Sequence, residues 1–305
     1  MSGERLISAI DAPVAKRRVT TSRLLSDYWV LTKPEVNFLI LITTSAGFYL
    51  ACENAGKQVS FLALFNTLLG TLLVASGTAT LNQYIERKFD AQMRRTARRP
   101  AAAGRLAPHA VLAFGIILSV GGSIYLASAG VLATLLTIFT LLSYLFVYTP
   151  LKRRTPLCVL VGAVPGAMPT LIGWAAASGS LNAEAWLLYA ILFLWQFPHF
   201  MAIAWMYRED YDRAGYSMLP QGRARVAFVI LQTALPLAAL LPISLMHFSA
   251  QHAAMCCASG LLLGAGFVYF GLRFVFERSR AAARRLLLAS IVYLPLLLMV
   301  RTALQ

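Results

Sequence analysis

Nine apolar stretches set the terms for folding: 36–52, 61–81, 110–128, 130–148, 157–177, 184–206, 226–246, 254–272 and 286–303. Each is close to the roughly 20 residues that an α-helix needs to cross a bilayer. Hydrocarbon offers no water to backbone N–H and C=O groups, so a long unbroken apolar run must satisfy them within itself, as a helix does. The expectation is an all-α polytopic membrane protein, with about nine transmembrane helices in a bundle. Composition agrees: 59% of the 305 residues are hydrophobic and only 13% are charged, too few to cover a soluble surface.

The basic residues fix an orientation. With the N-terminus inside, alternate loops collect all of the 27 Lys and Arg residues except Lys57 and Arg301. The positive-inside pattern therefore predicts the N-terminus inside and the C-terminus outside. It also assigns the net charge of +15 to one face of a membrane, which points to anionic lipid and an anionic substrate rather than nucleic acid. Residues 1–27 form a basic cytoplasmic tail without the apolar core of a signal peptide, leaving 28–305 as one membrane-embedded domain. Cys52, Cys158, Cys256 and Cys257 have no ligand spacing and are expected to be buried thiols rather than a disulfide framework.

The first chemistry-bearing stretch follows the second apolar run, NQYIERKFDAQMRRTARRP at 82–100. If the helix continues through it, Asn82, Glu86 and Asp90 recur every four residues. Each step rises roughly 6 Å and turns about 40°, so the three share one face. Two carboxylates and an amide oxygen suit a hard cation such as Mg²⁺, which takes its other ligands from water and phosphate. Arg94, Arg95, Arg98 and Arg99 follow, with guanidinium groups matched to phosphate oxygens. A solvated cytoplasmic charge loop is the competing reading, and it accounts for the arginines but not for the acidic stripe.

Three other stretches bear on the same site. Lys33, in LTKP at 31–34, either reaches a phosphate or snorkels to the interface. In YTPLKRRTP at 148–156, two prolines bracket Lys152, Arg153 and Arg154, which either present charge to an anion or act as a positive-inside signal. In WQFPHFMAIAWMYREDYDRAGYSMLP at 195–220, a continuous helix would put His199 on the face of Asp210, roughly 16 Å deeper in the membrane. A polar residue at that depth faces a cavity or hydrogen-bonds within the bundle. Acidic clusters after the second and sixth spans, and basic loops after the fourth and eighth, also suggest two related halves plus one helix.

These four stretches resemble the membrane-embedded aromatic prenyltransferases of the UbiA type. The RTxxRP ending at 95–100, with the PHF and EDYxxAGxxMLP stretch, is similar to the branch that farnesylates protohaem IX. The resemblance implies Mg²⁺ held by Asn82, Glu86, Asp90 and Asp210. It implies diphosphate bound by Arg94, Lys152, Arg153 and Arg154, with Lys33 a further candidate, and protohaem IX near His199. It further implies farnesyl diphosphate as donor, haem O as product, and a site on the cytoplasmic face of a bacterial inner membrane. Two residues depart from the usual pattern: Glu86 stands where aspartate is common, and Glu35 follows LTKP where a basic residue is common. A prenyltransferase for a quinone precursor or other ring, and a transporter of anionic lipid, are the alternative readings.

Overall fold

The computed structural model describes residues 21–246 and 253–304; Arg5, Lys16, Arg17 and Arg18 of the expected tail lie outside them. Among the described residues there are nine helices long and apolar enough to span a membrane. A short helix, α1 (Thr21–Leu31), precedes them. The first half contains α2 (Pro34–Asn54), α3 (Phe61–Asp90), α4 (Pro108–Leu126) and α5 (Val131–Leu142). Its last span continues through a π-helical turn, Ser143–Tyr148, into α6 (Thr149–Leu151). The second half contains α7 (Cys158–Ser178), α8 (Ala183–Met206), the short α9 (Arg208–Arg213), α10 (Ala224–Leu245) and α11 (Ala253–Glu277). The final helix is α12 (Arg280–Ala303).

The boundaries follow local chemistry. Ser60, Asn182 and Ser279 cap α3, α8 and α12 with side-chain oxygens that accept from backbone N–H groups three residues on. Pro34 and Pro108 start α2 and α4, where a missing N–H costs nothing. Gly179 closes α7 in the left-handed conformation, φ 75°. The outer surface carries Phe61, Leu62, Ile117, Ile124, Val131, Leu262 and Phe276 exposed, as a bilayer-facing surface requires.

Helices α2 and α7 cross at the centre. A methyl group at Gly47 would collide with the Thr170 carbonyl oxygen, and one at Gly173 with the Thr44 carbonyl oxygen. The contact is reciprocal, with Thr-x-x-Gly on each helix, so the first spans of the two halves pack backbone to backbone through equivalent residues. This crossing supports the two related halves suggested by loop spacing. From it, α7 leads to α8, which packs on α10 and α12, while α3 pairs with α4.

The basic segments gather at one end. Lys33 Nζ is 3.3 Å from Asn82 Oδ1, Arg95 N donates to Asp210 Oδ2 at 3.3 Å, Ser217 N donates to Lys152 O at 2.7 Å, and Trp205 Nε1 donates to Arg278 O at 2.7 Å. At the other end, Asn54 donates to Glu184 at 2.8 Å, and Arg301 closes the end of α10 through the carbonyls of Ser244 and Met246.

One helical expectation changes. The chain from His199 to Asp210 is not one helix: α8 ends at Met206, and Tyr207 leaves helical geometry with φ −113° and ψ 19° before α9. The shared-face argument therefore fails there. Below the membrane-facing helix, Tyr207 and Tyr211 instead receive the Arg95 guanidinium, 4.7 and 5.8 Å from their ring centres.

Candidate active site

Helix α3 runs 30 residues, carrying the apolar second span directly into the acidic stretch. Asn82, Glu86 and Asp90 consequently lie on one buried face, only 1%, 6% and 2% exposed. Such burial of two carboxylates requires partners, and each has a cation. Lys152 Nζ lies 2.9 and 3.0 Å from the two Glu86 oxygens. Arg99 Nη1 lies 2.8 Å from Asp90 Oδ2. Asn82 accepts from Lys33 and donates from its amide to Thr149 Oγ1 at 3.1 Å.

The Lys33 backbone is left-handed, φ 52° and ψ 64°, which costs a non-glycine residue on the order of 1–2 kcal/mol. This strain aims its side chain at α3 from the start of α2. Burial, followed by the Arg99 and Lys152 cations, pushes the Lys33 ammonium down to about 7. Lys152 moves the other way: burial opposes its charge, but the Glu86 carboxylate and then Tyr148 outweigh that and raise it well above the usual lysine value.

The π-helical turn supplies the wall beside Lys152. Tyr148 and Tyr144 present their rings 4.7 and 6.0 Å from its Nζ, and the Thr149 hydroxyl donates to the Tyr144 carbonyl at 2.8 Å. The other wall is the segment after α9. Tyr216 packs edge-on to Phe89, 6.1 Å between ring centres, and its buried hydroxyl makes no hydrogen bond of ordinary geometry. Burial, then the Glu86 carboxylate, raises the Tyr216 phenol.

The expected residues thus divide by position. Asn82, Glu86, Asp90, Lys33 and Lys152 meet in one cluster. The Arg153 guanidinium lies over the Phe89 ring, 4.2 Å from guanidinium carbon to ring centre. Arg94 and Arg154 are exposed at the rim. Asp210 closes the cluster from the opposite loop by holding Arg95 N and Arg213, the latter at 3.2 Å. Among the described residues no three His, Cys, Asp or Glu side chains gather as a metal site, so Glu86, Asp90 and Asp210 do not form one carboxylate triad.

His199 Nδ1 pairs with Ser290 Oγ at 2.8 Å, and its ring stacks on Trp195 at 4.7 Å between centres. Trp195 Nε1 donates to the Ser290 carbonyl at 2.8 Å, so His199 belongs to a polar joint between α8 and α12. Tyr148 and Tyr216 are not singled out by the sequence, and Arg99 stands there only as one of four arginines suited to phosphate, not as the partner of Asp90. Tyr148, one turn before Lys152 on the same face, carried a readable spacing; Tyr216 carried none.

The donor set fits a hard divalent cation. Asn82, Glu86 and Asp90 offer oxygen and no thiolate or imidazole, and Tyr216 leaves a buried hydroxyl beside Glu86. Three cations face these oxygens from separate segments: Lys33, Arg99 and Lys152.

Known proteins are similar to this chain in sequence and in fold. The chain is similar to protoheme IX farnesyltransferase of Solibacter usitatus, 46% identical over 90% of this chain and 96% of the relative. It is also similar to protoheme IX farnesyltransferase of Koribacter versatilis, 40% identical over 95% and 97%. The fold matches the structure of a digeranylgeranylglyceryl phosphate synthase, with TM-score 0.69 and 17% identity over 92% of this chain and 98% of that one. A UbiA homologue from Archaeoglobus fulgidus, bound to GPP and Mg²⁺, matches with TM-score 0.62 and 13% identity over 90% and 99%. Residues 40–294 match the UbiA prenyltransferase family, and the chain belongs to that family.

Proposed function

We propose that this protein transfers a farnesyl group from farnesyl diphosphate to a vinyl group of protohaem IX, giving haem O and diphosphate. The observation that carries the reading is the similarity to protoheme IX farnesyltransferases over nearly their full length. It is supported by the converging cations on α3, which suit a diphosphate leaving group.

The proposed metal is Mg²⁺, held by Asn82, Glu86 and Asp90, with Asp210 supporting it from the opposite loop. When bound, it supplies Lewis-acid neutralisation of charge on the departing diphosphate. Lys152, Lys33 and Arg99 hold the same anion from the protein side, and Arg94, Arg153 and Arg154 contribute at the rim. Fixed charges of this kind stabilise charge as it develops, without reorganising.

Breaking the farnesyl C–O bond leaves an allylic cation. A haem vinyl carbon attacks it, forming the new C–C bond and moving the cation to the haem side. Water adds there and loses a proton, leaving a hydroxyethylfarnesyl group. The apolar bundle keeps water from the allylic cation before the vinyl group reaches it. His199, paired with Ser290, orders the α8–α12 joint and leaves Nε2 for contact with the porphyrin. The membrane-embedded domain is taken from residue 28 onward, with α1 (Thr21–Leu31) docked onto it through Asp27, so the basic tail ends before Thr21 and not at residue 27; the site faces the cytoplasm from a bacterial inner membrane.

The test is incubation of purified protein in detergent with farnesyl diphosphate, protohaem IX and Mg²⁺, followed by mass spectrometry. Farnesylated haem is expected and should disappear with chelator. Absence of product while a curated relative turns over in parallel would overturn the assignment.

A further inference from the structure

Arg105, at the end of the 91–107 loop, turns away from the carboxylates. Its Nε lies 3.0 Å from both oxygens of Asp27 in α1, and its Nη2 lies 2.8 Å from Oδ1. The same guanidinium donates from Nη1 to the Arg98 carbonyl at 2.9 Å, so it ties α1 to the middle of the loop as well as to its end. Asp27 is 7% exposed, and a buried carboxylate with a two-pronged guanidinium partner is a directional joint.

Apolar contacts reinforce the joint without involving the main core. Leu31, Leu106 and Val111 form a separate buried cluster, with Tyr28, Tyr84, Ala101 and Phe114 packed around it. Tyr28 meets Phe114 edge-on at 4.9 Å. Leu31 and Tyr28 come from α1, Leu106 from the loop, and Val111 from α4.

The end of α1 is fixed to α3 at the site itself. Gln83 Nε2 donates to the Leu31 carbonyl at 2.7 Å, from the residue next to Asn82. Two residues later the chain enters the left-handed Lys33, whose ammonium reaches Asn82. The loop held by Arg105 carries Arg99 to Asp90 and Arg95 to Asp210. One helix thus holds two cations, Lys33 and Arg99, that approach the α3 face from different directions.

We infer that α1 is a positioning strut for the diphosphate half of the site, with Asp27 and Arg105 as its positioning residues. Neither side chain reaches the α3 carboxylates. Their joint holds the 91–107 loop so that Arg95 and Arg99 remain over the site, while Gln83 and Leu31 set the approach of Lys33. The strut serves prenyl diphosphate and not the second substrate, because among the described residues the bonds and packing of α1 run to α3, α4 and the 91–107 loop. This assignment rests on the transferase reading above.

The experiment uses the full chain in detergent. Asp27→Asn should raise KM for farnesyl diphosphate about tenfold, with kcat within about twofold and KM for protohaem IX unchanged. Amide exchange over 92–104 should accelerate in the same variant, and Asp27→Glu should restore both readouts towards wild type. If Asp27→Asn fails to fold, Arg105→Lys, which keeps the charge and loses the fork, should show the same KM split and faster exchange. Unchanged KM and exchange, an equal rise in both KM values, or a fall in kcat alone would overturn the strut. Should wild-type protein make no farnesylated haem, the transferase reading fails. The strut is then judged separately by exchange over 92–104 and by inorganic diphosphate binding with Mg²⁺, both weakened in Asp27→Asn if it holds.

Discussion

Glu86→Gln separates the structural and chemical roles of the α3 stripe. In the native pair the side chains of Lys152 and Glu86 are 12% and 7% exposed, and both carboxylate oxygens lie within 3.0 Å of Nζ. Neutralising the glutamate leaves an ammonium buried against Tyr148 and Tyr144. Loss of one partner of a buried pair costs about 3–5 kcal/mol, and the retained amide oxygen puts this case near the lower end. At roughly 2 °C per kcal/mol for a chain of this size, about 3 kcal/mol lowers the thermal midpoint by ~6 °C. Lys152→Met in the same chain removes the orphaned charge and should return the midpoint close to wild type. Turnover should remain at least about 100-fold down in both, as expected when an oriented charge is lost at a developing anion. Mg²⁺ with inorganic diphosphate at about 100 times Kd should stabilise wild type by roughly 2.7 kcal/mol and neither variant. Differential scanning fluorimetry and product mass spectrometry read the two quantities. Turnover within tenfold of wild type in either variant, or an unshifted Glu86→Gln midpoint, would refute the reasoning.

Arg99 and Arg94 lie five residues apart in one basic run but differ in contact, since Arg99 holds Asp90 while Arg94 is exposed. Arg99→Gln should raise KM for farnesyl diphosphate at least about tenfold more than Arg94→Gln does in steady-state assays; equal effects would contradict the placement. Lys33, lowered to about 7, loses its proton within the assay range, and only its charged form attracts diphosphate. Diphosphate affinity measured by calorimetry should weaken above pH 7 by up to about tenfold per pH unit, until the higher pKa of the bound state is reached. Lys33→Arg should flatten that dependence, because a guanidinium keeps its charge throughout.

The sequence alone determined the membrane class, the nine spans and the α3 stripe. Each depends on local periodicity: about 20 apolar residues specify a crossing, and positions 82, 86 and 90 share a face in any continuous helix. The family, too, was legible in four short stretches, because the chemistry concentrates its polar residues at helix ends. Local reasoning failed where continuity broke. Nothing in MYREDYD announces that Tyr207 leaves the helix, so the shared face of His199 and Asp210 was lost.

Tertiary structure decided which cation meets which carboxylate. Lys152 for Glu86 and Arg99 for Asp90 depend on how loops 91–107 and 152–157 fold back. It also decided that His199 meets Ser290, that Tyr216 faces Glu86, and that Asp27 reaches Arg105. Contacts between segments so far apart leave no period in the chain. They follow from the α2–α7 crossing, where Gly47 and Gly173 let the halves close until the loops at one end share a site.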